Sequence, residues 1–145
     1  MKALLQRVSS AKVEVAGHVV GEIEQGLLVL VGIEPQDSTE QLQKMLNKLL
    51  NYRVFADEQG RMNLSVKDIQ GGVLLVSQFT LAADTRSGLR PGFSTAAAPE
   101  QAEQLFNKLV TMAKAAHAHI ETGEFGANMQ VSLTNDGPVT FLLEV

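Results

Sequence analysis

The sequence predicts an α+β fold, a single domain over residues 1–145 in which a curved, mixed or antiparallel β-sheet system carries two main helices. Three observations lead there. Stretches rich in β-branched and apolar residues outnumber those with helical spacing. Only two stretches repeat apolar residues at helical intervals. The length, 145 residues, is that of one core, since a chain of this size buries roughly 68–70% of the surface its unfolded form exposes.

Lys2 to Val8 and Lys12 to Ala16 alternate or cluster apolar residues and lead into a turn at Ala16-Gly17-His18. Val19 to Ile23 and Gly26 to Ile33 extend the sheet. Ser38 stands three residues before Gln41, the spacing of a capping box, and Leu42, Met45, Leu46, Leu49 and Leu50 follow at helical intervals, giving a helix from about Thr39 to Asn51. Tyr52 to Phe55 and Met62 to Val66 flank a hairpin loop, and Gly72 to Gln78 is an apolar strand that ends in a polar pair. From Asp84 to Ala98 there is no periodicity but two glycines, Gly88 and Gly92, with Pro91 and two arginines, the marks of an ordered surface loop of the kind that carries function. Pro99 at a helix N1 position opens a second helix with an apolar stripe through Leu105, Phe106, Leu109 and Met112, ending near His117. Asn128 to Leu133 and Val139 to Val145 read as two strands around a turn at Thr134-Asn135-Asp136-Gly137-Pro138.

Composition narrows the function. With 45% hydrophobic and 19% charged residues the chain is that of an ordinary globular protein. The absence of cysteine removes disulfides, thiolate metal sites and thiol nucleophiles, and suits the cytosol. Gln6 and Arg7 interrupt the opening apolar residues too early for a signal peptide, and Gly26 to Ile33, the longest apolar run, is far short of the roughly 20 residues that span a bilayer. A net charge of −4 argues against a broad nucleic-acid groove and against DNA, while leaving room for a small local RNA contact.

Motifs for dinucleotides, P-loop nucleotides, zinc proteases and the GxSxG hydrolases are absent. His117 and His119, two apart beside a helix end, form no metal site, and Asp57, Asp84 and Asp136 all stand in turn-like contexts where Asp caps its own backbone. Two segments remain. Ser77-Gln78-Phe79-Thr80 places two hydroxyls and an amide where a strand meets a loop, a position from which side chains and backbone N–H groups can face a ligand; a structural role is an equal reading. No histidine lies near it in sequence, which counts against Ser77 or Thr80 as a nucleophile. Gly137-Pro138 reads from its residues alone as a trans turn, because only about 5–6% of X-Pro bonds in folded proteins are cis.

Together, Ser77-Gln78-Phe79-Thr80-Leu81-Ala82-Ala83-Asp84 and Asn135-Asp136-Gly137-Pro138-Val139-Thr140 resemble the D-aminoacyl-tRNA deacylases of the bacterial D-tyrosyl-tRNA deacylase type. The resemblance covers essentially the whole chain, from Gln6-Arg7-Val8 through Met62-Asn63-Leu64 to the last strand. It implies a cytoplasmic homodimer, without cofactor or metal, that hydrolyses the ester between a D-amino acid or glycine and the tRNA 3′-terminal adenosine. It further implies that Ser77, Gln78, Phe79 and Thr80 line the catalytic pocket. Gly137 and Pro138, joined by a cis bond, would enter the other subunit's pocket to exclude L-amino acids. Arg7 would support that motif, and Met129 would form pocket wall. Lys67, Arg86 and Arg90 are the phosphate contacts to consider against a reading as solvated surface charge. A noncatalytic module that binds the tRNA end, and an RNA-independent hydrolase of small esters or D-peptides, are the competing readings.

Overall fold

The computed structural model describes residues Met1–Val145. Its spine is β1 (Lys2–Val15), one unbroken strand where the sequence suggested two. Ser9 and Ser10 do not interrupt it, because an exposed polar residue stays extended while its backbone is paired, and Ser10 pairs with Thr134. Ala16 and Gly17, both at positive φ, turn the chain into β2 (His18–Ile23), which is followed by β3 (Gly26–Gly32). The first helix, α1 (Thr39–Asn51), starts where expected, with the Ser38 N–H donating to Gln41 Oε1 at 2.8 Å.

A small hairpin of β4 (Phe55–Ala56) and β5 (Met62–Leu64) stands apart from the main sheet. The strand expected to reach Val66 stops at Leu64, because Ser65 and Asp68 exchange side-chain-to-backbone hydrogen bonds that bend the chain away. Next come β6 (Gly72–Ser77), a 3-10 helix (Phe79–Ala82), α2 (Pro99–Ala116), β7 (Ile120–Thr122) and β8 (Met129–Glu144). Neither the 3-10 turn nor β7 is evident from periodicity. Each is too short to show one.

The sheet is mixed and curved. β8 follows one edge of β1 along its length, while the other edge pairs with β3 at Lys2–Val8 and with β2 at Ala11–Val15. β3, β6 and β7 then run parallel to one another. At Gly21 of β2 an added Cβ would collide with the Thr122 carbonyl of β7, so the far edges nearly meet and the sheet approaches a barrel. Residues alternate between two cores, as the period of two requires. Leu27, Val29 and Val31 of β3 pack with Leu42, Met45, Leu49, Phe106 and Leu109 of the helices, whereas Leu28 joins Val8, Val13, Ile23, Leu74 and Val76 inside the curve. Each such aliphatic side chain contributes about 1.5–3 kcal/mol by burial.

The expected turn at residues 134–138 does not reverse the chain. Gln6 pairs with Thr140 but Val8 with Asn135, so the intervening residues of β8 loop out opposite Arg7 within a single strand. Asn135 closes that excursion, accepting the Val139 N–H at 2.9 Å and donating to Thr140 Oγ1 at 2.8 Å.

Candidate active site

In open sheets ligands collect outside the carboxyl ends of parallel strands. Here β6 ends at Ser77 and β7 at Thr122, and a cleft of about 580 Å³ opens beyond them. Ser77, Gln78 and Phe79 form one side, Met129 and Val131 of β8 another, and the first turn of α2, with Ala98, Pro99 and Ala102, closes the end. The cleft brings together four of the residues singled out from sequence: Ser77, Gln78, Phe79 and Met129. Thr80 lies just outside the lining and is exposed; its Oγ1 accepts a 2.5 Å hydrogen bond from Gln78 Nε2.

Phe93 and Phe125 also line the cleft and were not singled out. Phe93 sits in the loop marked as functional, and its aromatic ring just after Pro91-Gly92 was the available signal. Phe125 has none in sequence; it enters through its packing on Phe106, with centroids 6.2 Å apart. Met129 is held by its surroundings, since the Glu124 N–H approaches its Sδ at 3.4 Å and a Cβ at Gly123 would come within 2.7 Å of that sulfur.

The loop from Asp84 to Ala98 is ordered by its own bonds. Asp84 and Gly92 exchange backbone hydrogen bonds of 2.8 and 2.9 Å, and Thr95 Oγ1 donates to the Ala82 carbonyl at 2.7 Å. Arg86 grips the Asp84 carboxylate with Nε and Nη2, both at 2.8 Å, which holds that carboxyl well below the usual range. Asp57 and Asp68 are also lowered, Asp57 chiefly by the Asn63 side chain and Asp68 chiefly by the Ser65 backbone N–H. Groups whose folded pKa is depressed contribute stability that is complete above the unfolded value near 3.8 and is lost as pH falls through the lower folded values. Thermal melts should therefore show a falling midpoint as pH is lowered below about 4, and Asp84→Asn should make that fall shallower. An unchanged acid slope in the variant would remove Asp84 from the account.

The second segment lies elsewhere on the chain. Gly137 and Pro138 are exposed and do not line the cleft; the bond between them is cis, as the resemblance implies and contrary to the residue-level reading. Arg7, mostly buried, donates from Nε to the Asp136 carbonyl at 3.0 Å and from Nη1 to the Val54 carbonyl at 2.7 Å. One guanidinium thus ties the looped-out segment to the start of the β4–β5 hairpin.

Comparison with known proteins gives the family and the fold. A model of the family described as D-Tyr-tRNA(Tyr) deacylase matches residues 4–144. The chain belongs to this family. A D-aminoacyl-tRNA deacylase of Pseudomonas putida strain F1 is 67% identical over 145 residues, all of both chains. One from Ectopseudomonas mendocina strain ymp is 68% identical with the same coverage. Among solved structures, the c-Myc DNA Unwinding Element Binding Protein superposes with a TM-score of 0.96 at 43% identity, covering 100% of this chain and 99% of that one. A probable eukaryotic D-amino acid tRNA deacylase shares the fold, with a TM-score of 0.87 at 15% identity over 99% and 98% of the two chains.

Proposed function

We propose that this chain is a D-aminoacyl-tRNA deacylase that hydrolyses the ester between a D-amino acid, or glycine, and the 3′-terminal adenosine of tRNA. The observation that carries the reading is the composition of the cleft wall: none of its 15 residues is Asp, Glu, His, Lys or Arg. Such a wall can seat an amino acid and a nucleoside but offers no general base. An aminoacyl ester is already activated, so the reaction needs a placed water and a stabilised oxyanion. The ribose 2′-OH of the substrate, adjacent to the ester, assists the attack, and the backbone N–H groups of Phe79 and Thr80 stabilise the oxyanion, one such donor being worth about 10²–10³ in rate. Neither step calls for a metal or cofactor.

Thr80 positions and does not attack. Its hydroxyl oxygen already accepts a hydrogen bond from Gln78 and has no imidazole or carboxylate to deprotonate it, which supports this assignment. Thr80→Ala should lower turnover of D-tyrosyl-tRNA by about tenfold, the equivalent of one hydrogen bond. A folded variant with no activity would restore the nucleophile.

Discrimination falls to Gly137 and Pro138, which reach from one subunit of a homodimer into the cleft of the other. An L side chain is driven against their backbone, a D side chain points away, and glycine has none to reject. Two features support a dimer. β8 pairs only with β1, leaving its outer edge open, and Leu133, Phe141 and Leu142 along it are exposed, an arrangement that invites a partner. A cytoplasmic location suits a chain with no cysteine and no helix long and apolar enough to cross a membrane.

The deciding experiment is hydrolysis of D-tyrosyl-tRNA beside L-tyrosyl-tRNA in excess EDTA. Loss of the D ester alone is expected. Loss of neither, with folded protein, would leave a noncatalytic binder of the tRNA end. Equal turnover of a D ester whose ribose lacks the 2′-OH would instead favour a hydrolase of small esters.

A further inference from the structure

Two phenyl rings stand half in solvent at the mouth of the cleft. Phe79 is 54% exposed and Phe93 46%, and their centroids lie 5.2 Å apart with the planes tilted by 54°. Both line the cleft, so each has one side toward it and the other toward water. They come from unrelated segments, the 3-10 helix and the loop beyond Asp84, and the backbone that carries Phe93 is held in place. The residue before Phe93 is locked by the Asp84–Gly92 bridge, and the Phe93 carbonyl accepts the Ala96 N–H at 3.1 Å. An ordered backbone that holds an aromatic ring outward, beside an apolar cleft, forgoes the burial that such a ring ordinarily gains.

We infer that Phe93 is a stacking platform for the base of the nucleotide that precedes the esterified adenosine. The inference rests on the deacylase reading and extends it. A cleft of about 580 Å³ is of the size that holds one small ligand, here an aminoacylated nucleoside. The next nucleotide of the single-stranded tRNA end has to leave by the mouth, where the aromatic pair sits. Single-stranded bases are held in this way, by stacking on exposed aromatic rings with little regard to sequence. The charge on the loop fits a backbone contact. Arg86 is occupied by Asp84, whereas Arg90, exposed and three residues from Phe93, has no ion-pair partner and can meet the adjoining phosphate.

The test compares two substrates, D-tyrosyl-tRNA and 3′-D-tyrosyl-adenosine, which lacks every preceding nucleotide. For Phe93→Ala, the rise in KM should be at least about tenfold larger on the tRNA than on the adenosine ester, with kcat on the tRNA less affected than KM. Phe93→Leu keeps the apolar bulk and removes the ring face, and should show the same bias; Phe93→Trp should restore binding. Arg90→Gln should flatten the salt dependence of KM for the tRNA. Equal losses on both substrates would place Phe93 against the adenosine or the fold and overturn the inference. So would a change in oligomeric mass, which would mean that the ring packs beneath the second subunit. Wild-type protein inactive on both substrates would instead refute the deacylase reading itself.

Discussion

Gly137→Val is expected to reduce hydrolysis of D-tyrosyl-tRNA by at least two orders of magnitude, about 2.7 kcal/mol in transition-state stabilisation, while the protein remains folded. Gly137 has φ of +132°, a region open essentially to glycine alone. A Cβ there would lie 2.9 Å from Val139 Cγ2 and 3.1 Å from Arg7 Nη2, so a branched side chain has to push aside both the strand that follows and the guanidinium that holds the segment. The site is exposed and touches the larger core only at its rim, through Val139, which confines the damage. Circular dichroism should stay native-like while the melting midpoint falls, because the strained backbone and the displaced guanidinium cost stability, and single-turnover hydrolysis well below that midpoint should report the loss. Full activity with unchanged discrimination would show that residues 137–138 do not enter the reaction, and would remove the proposed selector.

The sequence and the structure agree where local physics is decisive. α1 is written in its capping box and its Leu and Met spacing, and α2 in Pro99 and a regular stripe; both are found within a residue or two of expectation. The apolar strands β3 and β6 are equally plain. What the residues could not show was register. Thr134-Asn135-Asp136-Gly137-Pro138 has the composition of a reversing turn, yet β1 is long enough to pair on both sides of it and keeps β8 running straight through. Ser9-Ser10 looked like a break for the converse reason: the partner that keeps the strand going there, Thr134 opposite Ser10, is more than a hundred residues away in sequence.

The candidate site was legible in the same uneven way. Ser77-Gln78-Phe79-Thr80 stands out because polar residues end an apolar strand, a local signal. Phe125, Ala97 and Val131 reach the cleft only through the curvature of the sheet and the path of α2, which no single window contains. Arg7 was assigned to the looped segment by resemblance, and its second acceptor, the Val54 carbonyl, could not have been anticipated from either neighbourhood.

That second acceptor makes Arg7 the residue on which discrimination should depend. Its guanidinium spans two carbonyls, those of Asp136 and Val54, with the side chain only 15% exposed; the bond to Val54 is partly buried, where water replaces a lost hydrogen bond poorly, and the one to Asp136 is exposed. Arg7→Met keeps much of the length and apolar stem and removes both bonds. A hydrogen bond to a charged group contributes about 1.5–3 kcal/mol, and with the bond to Val54 the partly buried one, the variant should be destabilised by about that much. The larger effect is on selection. With the Asp136 carbonyl released, residues 136–138 are anchored only through Asn135 and the ladder on either side, and a selector that works by exclusion fails as soon as its backbone can yield by about the width of a methyl group. The ratio of D- to L-tyrosyl-tRNA hydrolysis should fall by about tenfold or more, chiefly through a gain on the L ester. Arg7→Lys should not restore it, because a single ammonium cannot reproduce a planar fork that meets two acceptors at once. If Arg7→Met loses stability but keeps its discrimination, the guanidinium is a structural tie alone, and the rigidity of residues 137–138 must come from β8 itself.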